Sequence, residues 1–135
     1  MLVEVVMSIL INWVKDKEYF DVNQFEVKVV ELSSEEIQKK ACGGKCPIIG
    51  FFKKDEGIFI QKMDYKNNLC NQSILLHELV HALQDFSDNE MNIAFREKEA
   101  YEIQNRFLIE KSIERKLVKT LNLRICRGSQ SFKKK

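Results

Sequence analysis

Glycine and proline are absent from residues 71–127 of this 135-residue chain. These two residues are the strongest helix breakers, so the segment can form long helices. Asn71 or Ser73 can cap the start of the first helix, because a side-chain oxygen at that position accepts a hydrogen bond from a backbone N–H. Polar residues at 87–90 indicate a break. The pattern then predicts a second, longer helical run over residues 92–121.

The first of these helices carries both histidines of the chain, in the pentapeptide His-Glu-Leu-Val-His at residues 77–81. Positions four apart lie on the same face of a helix, so His77 and His81 can both bind one metal ion through neutral imidazole nitrogens. Glu78 can take a proton from a water at that metal. The ordinary alternative is a set of polar residues on the surface of a helix.

Three earlier segments have the alternating or apolar character of β-strands. They are residues 25–30, 47–52 and 58–61, and a turn of hairpin length that ends in Gly57 separates the last two. These segments predict a small sheet that contains one hairpin.

Two further helices are expected before the hairpin. The apolar opening segment predicts an amphipathic helix that ends near Lys17. Ser33 and Glu36 have the spacing of a capping box, which predicts a short helix to about Ala41. The glycines at 43–44 should end it.

The order helix, strand, helix, hairpin, helix, helix predicts an α+β fold. A sheet of three or more strands should pack against the His-Glu-Leu-Val-His helix and a long C-terminal helix. The length suits one core, so a single domain is expected over residues 1–127, followed by a basic, disordered tail at 128–135. A hairpin strand beside the metal helix could form a sheet edge to which an extended peptide adds.

The third metal ligand must be a carboxylate or a thiolate, because the chain has no third histidine. Helical geometry places Glu97 closer than Glu99 to the apolar stripe of the last helix. Glu97 is therefore the predicted ligand, with Glu99 as the alternative, and a solvated surface is the ordinary place for such glutamates. The full set of downstream acidic candidates is Asp85, Asp88, Glu90, Glu97, Glu99 and Glu102.

Residues 47–108 resemble the zincin metallopeptidases of the gluzincin type, which bind zinc through two histidines and one glutamate. The resemblance rests on the pentapeptide at 77–81 and on Glu97-Lys98-Glu99-Ala100, which matches the Glu-x-x-Ala of several zincin families. Tyr101 departs from the Asp or Asn that usually follows, which leaves the hydrogen-bond partner of a histidine ligand unassigned. Because the chain is far shorter than the well-characterised peptidases, it looks more like the small zincin-like domains of prokaryotes and phages.

The resemblance implies a zinc-dependent hydrolase, most readily a peptidase acting on a peptide or protein. Zn²⁺ would be held by His77, His81 and Glu97, with Glu78 activating the zinc-bound water. Tyr101 is a candidate donor to the developing oxyanion. Two alternatives stay open: a catalytically silent binding or regulatory module, and a structural metal site closed by a fourth ligand such as Cys70 or Asp85.

The C-terminal part of the chain is basic. Residues 106–135 contain ten Lys or Arg and two Glu, although the formal net charge of the whole chain is only +2. Such a terminus can contact nucleic acid, but more often it is a solvated end. Nucleic acid is therefore a secondary expectation as a partner, and the oligomeric state stays open.

Four cysteines, at 42, 46, 70 and 126, permit three complete pairings. The first apolar segment is too short to span a bilayer and lacks the basic start of a secretion signal. A cytoplasmic protein with reduced thiols and no membrane contact is therefore expected. Export of a processed chain is the alternative, and there a local disulfide between Cys42 and Cys46 is feasible.

Overall fold

The computed structural model describes residues 2–87 and 92–127, and it has the predicted α+β architecture. The helices are α1 (Leu2–Asp16), α2 (Ser34–Cys42), α3 (Leu69–Phe86), α4 (Ile93–Glu114) and a short α5 at residues 123–127. The strands are β1 (Val29–Leu32), β2 (Gly50–Lys53) and β3 (Gly57–Gln61).

The three strands form one mixed sheet in the order β1-β3-β2. β2 and β3 are antiparallel and form the predicted hairpin, whereas β1 is parallel to β3. The predicted strand at 25–30 is wrong in its bounds, because β1 exists only from Val29 to Leu32, where the chain pairs with Ile58 to Gln61. β2 is left at an edge of the sheet and contacts α3.

Helix α3 lies at the centre of the molecule, where it contacts α1, α4, β2 and β3. Its apolar residues Leu75, Leu76, Leu79 and Leu83 are fully buried. A helix that is apolar on most sides is a core helix, so any polar side chain on it needs a partner inside the protein. The pentapeptide at 77–81 is therefore not on an ordinary surface helix.

The start of α3 differs from the prediction. The helix begins one turn earlier than Asn71 or Ser73 because Asn68 is the capping residue, and its side-chain oxygen accepts a hydrogen bond of 2.9 Å from the Asn71 N–H. Asn71 and Ser73 are both buried inside the helix. The capping box of α2 is confirmed at Ser33 and Glu36.

The end of α4 also differs from the prediction. The helix stops at Glu114 rather than near residue 121, because Lys116 takes a left-handed conformation with φ of 56°. The N–H groups of Lys116 and Leu117 then bond back to the carbonyls of Ile113 and Ser112, which closes the helix end. The chain is free to turn towards α3.

Two disulfides join the four cysteines, so the prediction of reduced thiols is wrong for this structure. Cys42 and Cys46 form the local bridge. Cys70, in the first turn of α3, pairs with Cys126 in α5, with their Cα atoms 5.4 Å apart. Cys70 and Cys126 are 56 residues apart in the sequence, so only the tertiary fold brings them together.

Within the described residues, no helix is both long enough and apolar enough to cross a membrane.

Candidate metal centre

Three side chains of α3 and α4 converge on one point. The Nε2 atoms of His77 and His81 lie 3.1 Å apart, and Oε1 of Glu97 lies 3.0 Å from the first and 3.2 Å from the second. The Glu97 side chain is 47% exposed, so water reaches one side of the group. His77, His81 and Glu97 are the residues whose arrangement could hold a metal ion, and Glu97 rather than Glu99 joins the histidines.

The protonation of His77 is determined by a chain of hydrogen bonds behind it. The Ser73 hydroxyl donates to the Cys70 carbonyl at 2.7 Å, and it accepts from Nε2 of Gln104 at 3.0 Å. The Gln104 amide therefore turns its oxygen towards Nδ1 of His77, 3.0 Å away. Nδ1 must carry the proton, because an amide oxygen can only accept.

The same logic applies to His81. Nε2 of Gln84 donates to the Arg96 carbonyl at 3.0 Å and to Oε1 of Glu99 at 2.9 Å. Oε1 of Gln84 thus faces Nδ1 of His81 at 2.9 Å, and this nitrogen is again the donor. Glu99 therefore does not face the Nε2 atoms of the histidines. Its carboxylate fixes the orientation of the Gln84 amide, which in turn orients His81.

Neutral imidazoles that are protonated at Nδ1 present lone pairs at Nε2. Two such lone pairs and a carboxylate oxygen then face one another at about 3 Å with no proton between them. A cation removes this repulsion. A tetrahedral zinc site with Zn–N bonds of about 2.05 Å places its ligand atoms about 3.3 Å apart, so the donor set fits zinc in both spacing and chemistry.

Burial supports the neutral state of the first histidine. His77 is buried, and this burial lowers the pKa of the His77 imidazole. A histidine that resists protonation keeps its lone pair available to a metal.

Glu78 lies beside the cluster of His77, His81 and Glu97, the candidate metal group, but is not part of it. Its carboxylate accepts a hydrogen bond from the backbone N–H of Phe52 in the edge strand β2. Burial, with a smaller contribution from the negative charge of Glu97, raises the pKa of the Glu78 carboxyl to about 8. Gly50 lies beside Glu78 in this strand: a Cβ at position 50 would make an ordinary contact of 3.5 Å with Cγ of Glu78, but it would lie only 2.5 Å from Cδ1 of Ile60.

A cleft of about 190 Å³ opens in front of Glu78 and His77. Tyr101 lies on one wall, with its ring centre 4.5 Å from that of His77. Arg127 lies over the ring of this tyrosine, with its guanidinium carbon 4.2 Å from the ring centre. The opposite wall is formed by the segment at residues 47–50 that leads into β2.

The remaining candidates are not in the metal group. Asp85 lies 3.9 Å from the Lys54 ammonium, Glu102 is exposed on α4, and Cys70 is bonded to Cys126. The closed structural site with Cys70 or Asp85 as fourth ligand is therefore wrong among the described residues. Asp88, Glu90 and the basic tail at 128–135 lie outside the described residues.

Sequence reasoning missed Gln84 and Gln104, which orient the two histidines. Both had a detectable signal. Gln84 is three residues after His81, and Gln104 is seven residues after Glu97, so each shares a helix face with a ligand. Glutamine was overlooked because it is not itself a metal ligand.

Comparison with known proteins identifies a family without an assigned function. No curated protein and no solved structure matches the chain. One family model matches residues 5–126, a range that contains the three converging side chains and both glutamines. The chain belongs to the family described as "Domain of unknown function (DUF6647)".

Proposed function

We propose that this protein is a zinc-dependent hydrolase, most readily a peptidase, whose zinc is held by His77, His81 and Glu97. The observation that carries the proposal is the convergence of two imidazole lone pairs and a carboxylate oxygen at 3.0–3.2 Å, with both imidazoles oriented from behind by glutamine. The same residues carry the resemblance to the gluzincins.

The chemistry divides among a few groups. When bound, the zinc ion would polarise the scissile carbonyl and make water more acidic. Glu78, which lines the same cleft as His77, takes a proton from the attacking water when its carboxyl group is ionised, and it passes this proton to the leaving amine. The Tyr101 hydroxyl is the proposed donor to the carbonyl oxygen as negative charge develops there.

The shape of the site favours a chain-like substrate. The cleft is smaller than the roughly 300 Å³ that a drug-sized ligand usually needs, so it accommodates one part of a longer molecule. β2 is an edge strand next to Glu78, and an extended peptide can pair with such an edge through its main chain. These two features support the proposal of a peptide or protein substrate.

The direct test is cleavage of a peptide library made by digesting a whole proteome. New termini should appear, identified by mass spectrometry, when the zinc-loaded protein is added. They should disappear when a chelator removes the metal and return when zinc is restored. Bound zinc without any cleavage would reject the peptidase and favour the alternative of a catalytically silent binding module.

Replacing Gln104 by methionine is expected to weaken zinc binding by about 10- to 100-fold, because the His77 ring loses the acceptor that fixes its orientation. Methionine preserves most of the buried volume. The affinity is measured by competition with a chromophoric chelator. Gln72→Met is the matched control, since Gln72 is buried on α3 but donates to the Lys66 carbonyl, away from the metal group. Equal affinities in wild type and Gln104→Met would contradict the assigned role.

We further propose that the protein works in an oxidising compartment rather than in the cytoplasm. The expectation of a cytoplasmic protein rested on the lack of a recognisable secretion signal in the sequence. Two disulfides use all four cysteines, and such bonds persist mainly outside reducing compartments. Quantifying free thiols in protein isolated under acid trapping tests this: none are expected, and four would contradict it.

A further inference from the structure

The cleft in front of the metal group contains a charge that the proposed hydrolysis does not use. Arg127 is the one cation among the described residues that line it, and Glu78 is the one carboxylate among them. The guanidinium carbon lies 4.2 Å from the ring centre of Tyr101, whose other contact is the His77 imidazole. The Tyr101 ring therefore contacts both the charge of Arg127 and a proposed metal ligand.

The position of Arg127 is built into the fold. It follows Cys126 in α5, and the bond from Cys126 to Cys70 attaches this short helix to the first turn of α3. The Ile125 N–H bonds to the Asn122 side chain, and the Leu123 N–H bonds to the Asn105 side chain on α4, both at 2.9 Å. The arginine is thus held at the cleft from two helices.

We propose that Arg127 makes this site selective for substrates with a carboxylate close to the scissile bond. A guanidinium presents a planar set of donors that matches a carboxylate, and the contact with Tyr101 places the guanidinium of Arg127 at the cleft wall. An extended peptide advances about 3.3 Å per residue. Because Arg127 contacts the same tyrosine ring as His77, its guanidinium can bind a group within about two residues of the cleaved bond. This inference rests on the proposed hydrolase function.

The carboxylate can come from an acidic side chain or from the C-terminus of a peptide, and both have the same chemistry. Three acetylated hexapeptides separate the sources. One has a free C-terminus and no acidic side chain, one has an amidated C-terminus and an internal aspartate, and one has an amidated C-terminus and asparagine in place of the aspartate. Affinities are measured by calorimetry with the zinc-loaded Glu78→Gln variant, so that no peptide is cleaved during the titration.

At least one carboxylate peptide is expected to bind about tenfold or more tightly than the asparagine peptide, as for a charge-assisted hydrogen bond. Tighter binding of the first peptide would identify the C-terminus as the feature that is read, and tighter binding of the second would identify the side chain. The preference should disappear in Arg127→Ala. It should persist in Arg124→Ala, which removes the same charge from an exposed position of α5 that does not line the cleft.

Equal binding of the three peptides, no binding of any of them, or equal effects of the two arginine variants would overturn the inference. These outcomes are separate from a failure of the proposed function, which is judged by zinc-dependent cleavage of the proteome-derived library by the wild-type protein. Cleavage without a carboxylate preference would retain the hydrolase and remove the role of Arg127.

Discussion

Replacing Glu78 by glutamine is expected to lower kcat/KM by about 10²- to 10⁴-fold while one zinc ion stays bound to each chain. Glutamine preserves the size and the hydrogen-bonding capacity of the side chain towards Phe52, but it cannot accept a proton from water. The ligand atoms of His77, His81 and Glu97 converge without any contribution from Glu78, so metal binding should be unaffected. Rates are measured on a peptide that the library experiment identifies as cleaved.

Glu110→Gln serves as the control for this substitution. Glu110 contacts Trp13 and Lys17 near the C-terminal end of α4, and it does not line the cleft. The control should retain kcat/KM within about twofold, in line with a carboxylate that takes no part in the chemistry. Full activity in Glu78→Gln would show that another group accepts the proton and would reject the mechanism.

Loss of the Cys70–Cys126 disulfide should have the largest effect on stability. Replacing both cysteines by serine is expected to lower the free energy of unfolding by about 4 kcal/mol, because the bond closes a loop of 56 residues. The same change at Cys42 and Cys46 should cost about 2 kcal/mol, because that loop spans only 4 residues. Total stabilities of domains are roughly 5–15 kcal/mol, so the first loss is a large fraction.

Urea unfolding of the two serine double variants, followed by circular dichroism, measures this difference. The two pairs serve as controls for each other, since each variant loses one bond and gains two hydroxyls. A larger loss of stability in the variant without the Cys42–Cys46 bond would contradict the expected order. The variant without the Cys70–Cys126 bond also releases α5, so it should lose the carboxylate preference assigned to Arg127.

The parts of the fold that were predicted correctly depend on local sequence. The capping box at Ser33 and Glu36 and the hairpin that ends its turn at Gly57 involve residues within a few positions of each other. The same holds for His77 and His81, whose shared face follows from helical geometry alone. Local spacing was sufficient for these features because their partners are close in sequence.

The errors in element bounds came from interactions that are not visible in a local pattern. β1 has strand structure only where β3 offers it a partner, although residues 25–28 alternate in the same way. α4 ends where Lys116 adopts a left-handed conformation. This conformation is uncommon for residues other than glycine, so the sequence gives little indication of it. The start of α3 was placed late because several Asn and Ser residues in succession could each have been the cap.

The convergence of His77, His81 and Glu97 could be predicted from the sequence, but the residues that support them could not. Glu97 could be chosen over Glu99 because the apolar stripe of α4 fixes which side of the helix turns inward. Gln84 is only three residues from His81, but its amide is oriented by Glu99, 15 residues away on α4. Gln104 is 27 residues from His77, and the disulfide that places Arg127 at the cleft joins residues 56 apart. Such contacts are properties of the packed fold.

His77, His81 and Glu97 are proposed to hold a metal ion, and the metal content of the purified protein decides whether they do. Inductively coupled plasma mass spectrometry should find about one zinc per chain after loading and removal of excess metal. Glu97→Gln should lose it, whereas Glu102→Gln, an exposed substitution on the same helix, should retain it. A wild-type protein that takes up no zinc, or a Glu97→Gln variant that still binds it at full stoichiometry, would contradict the proposal.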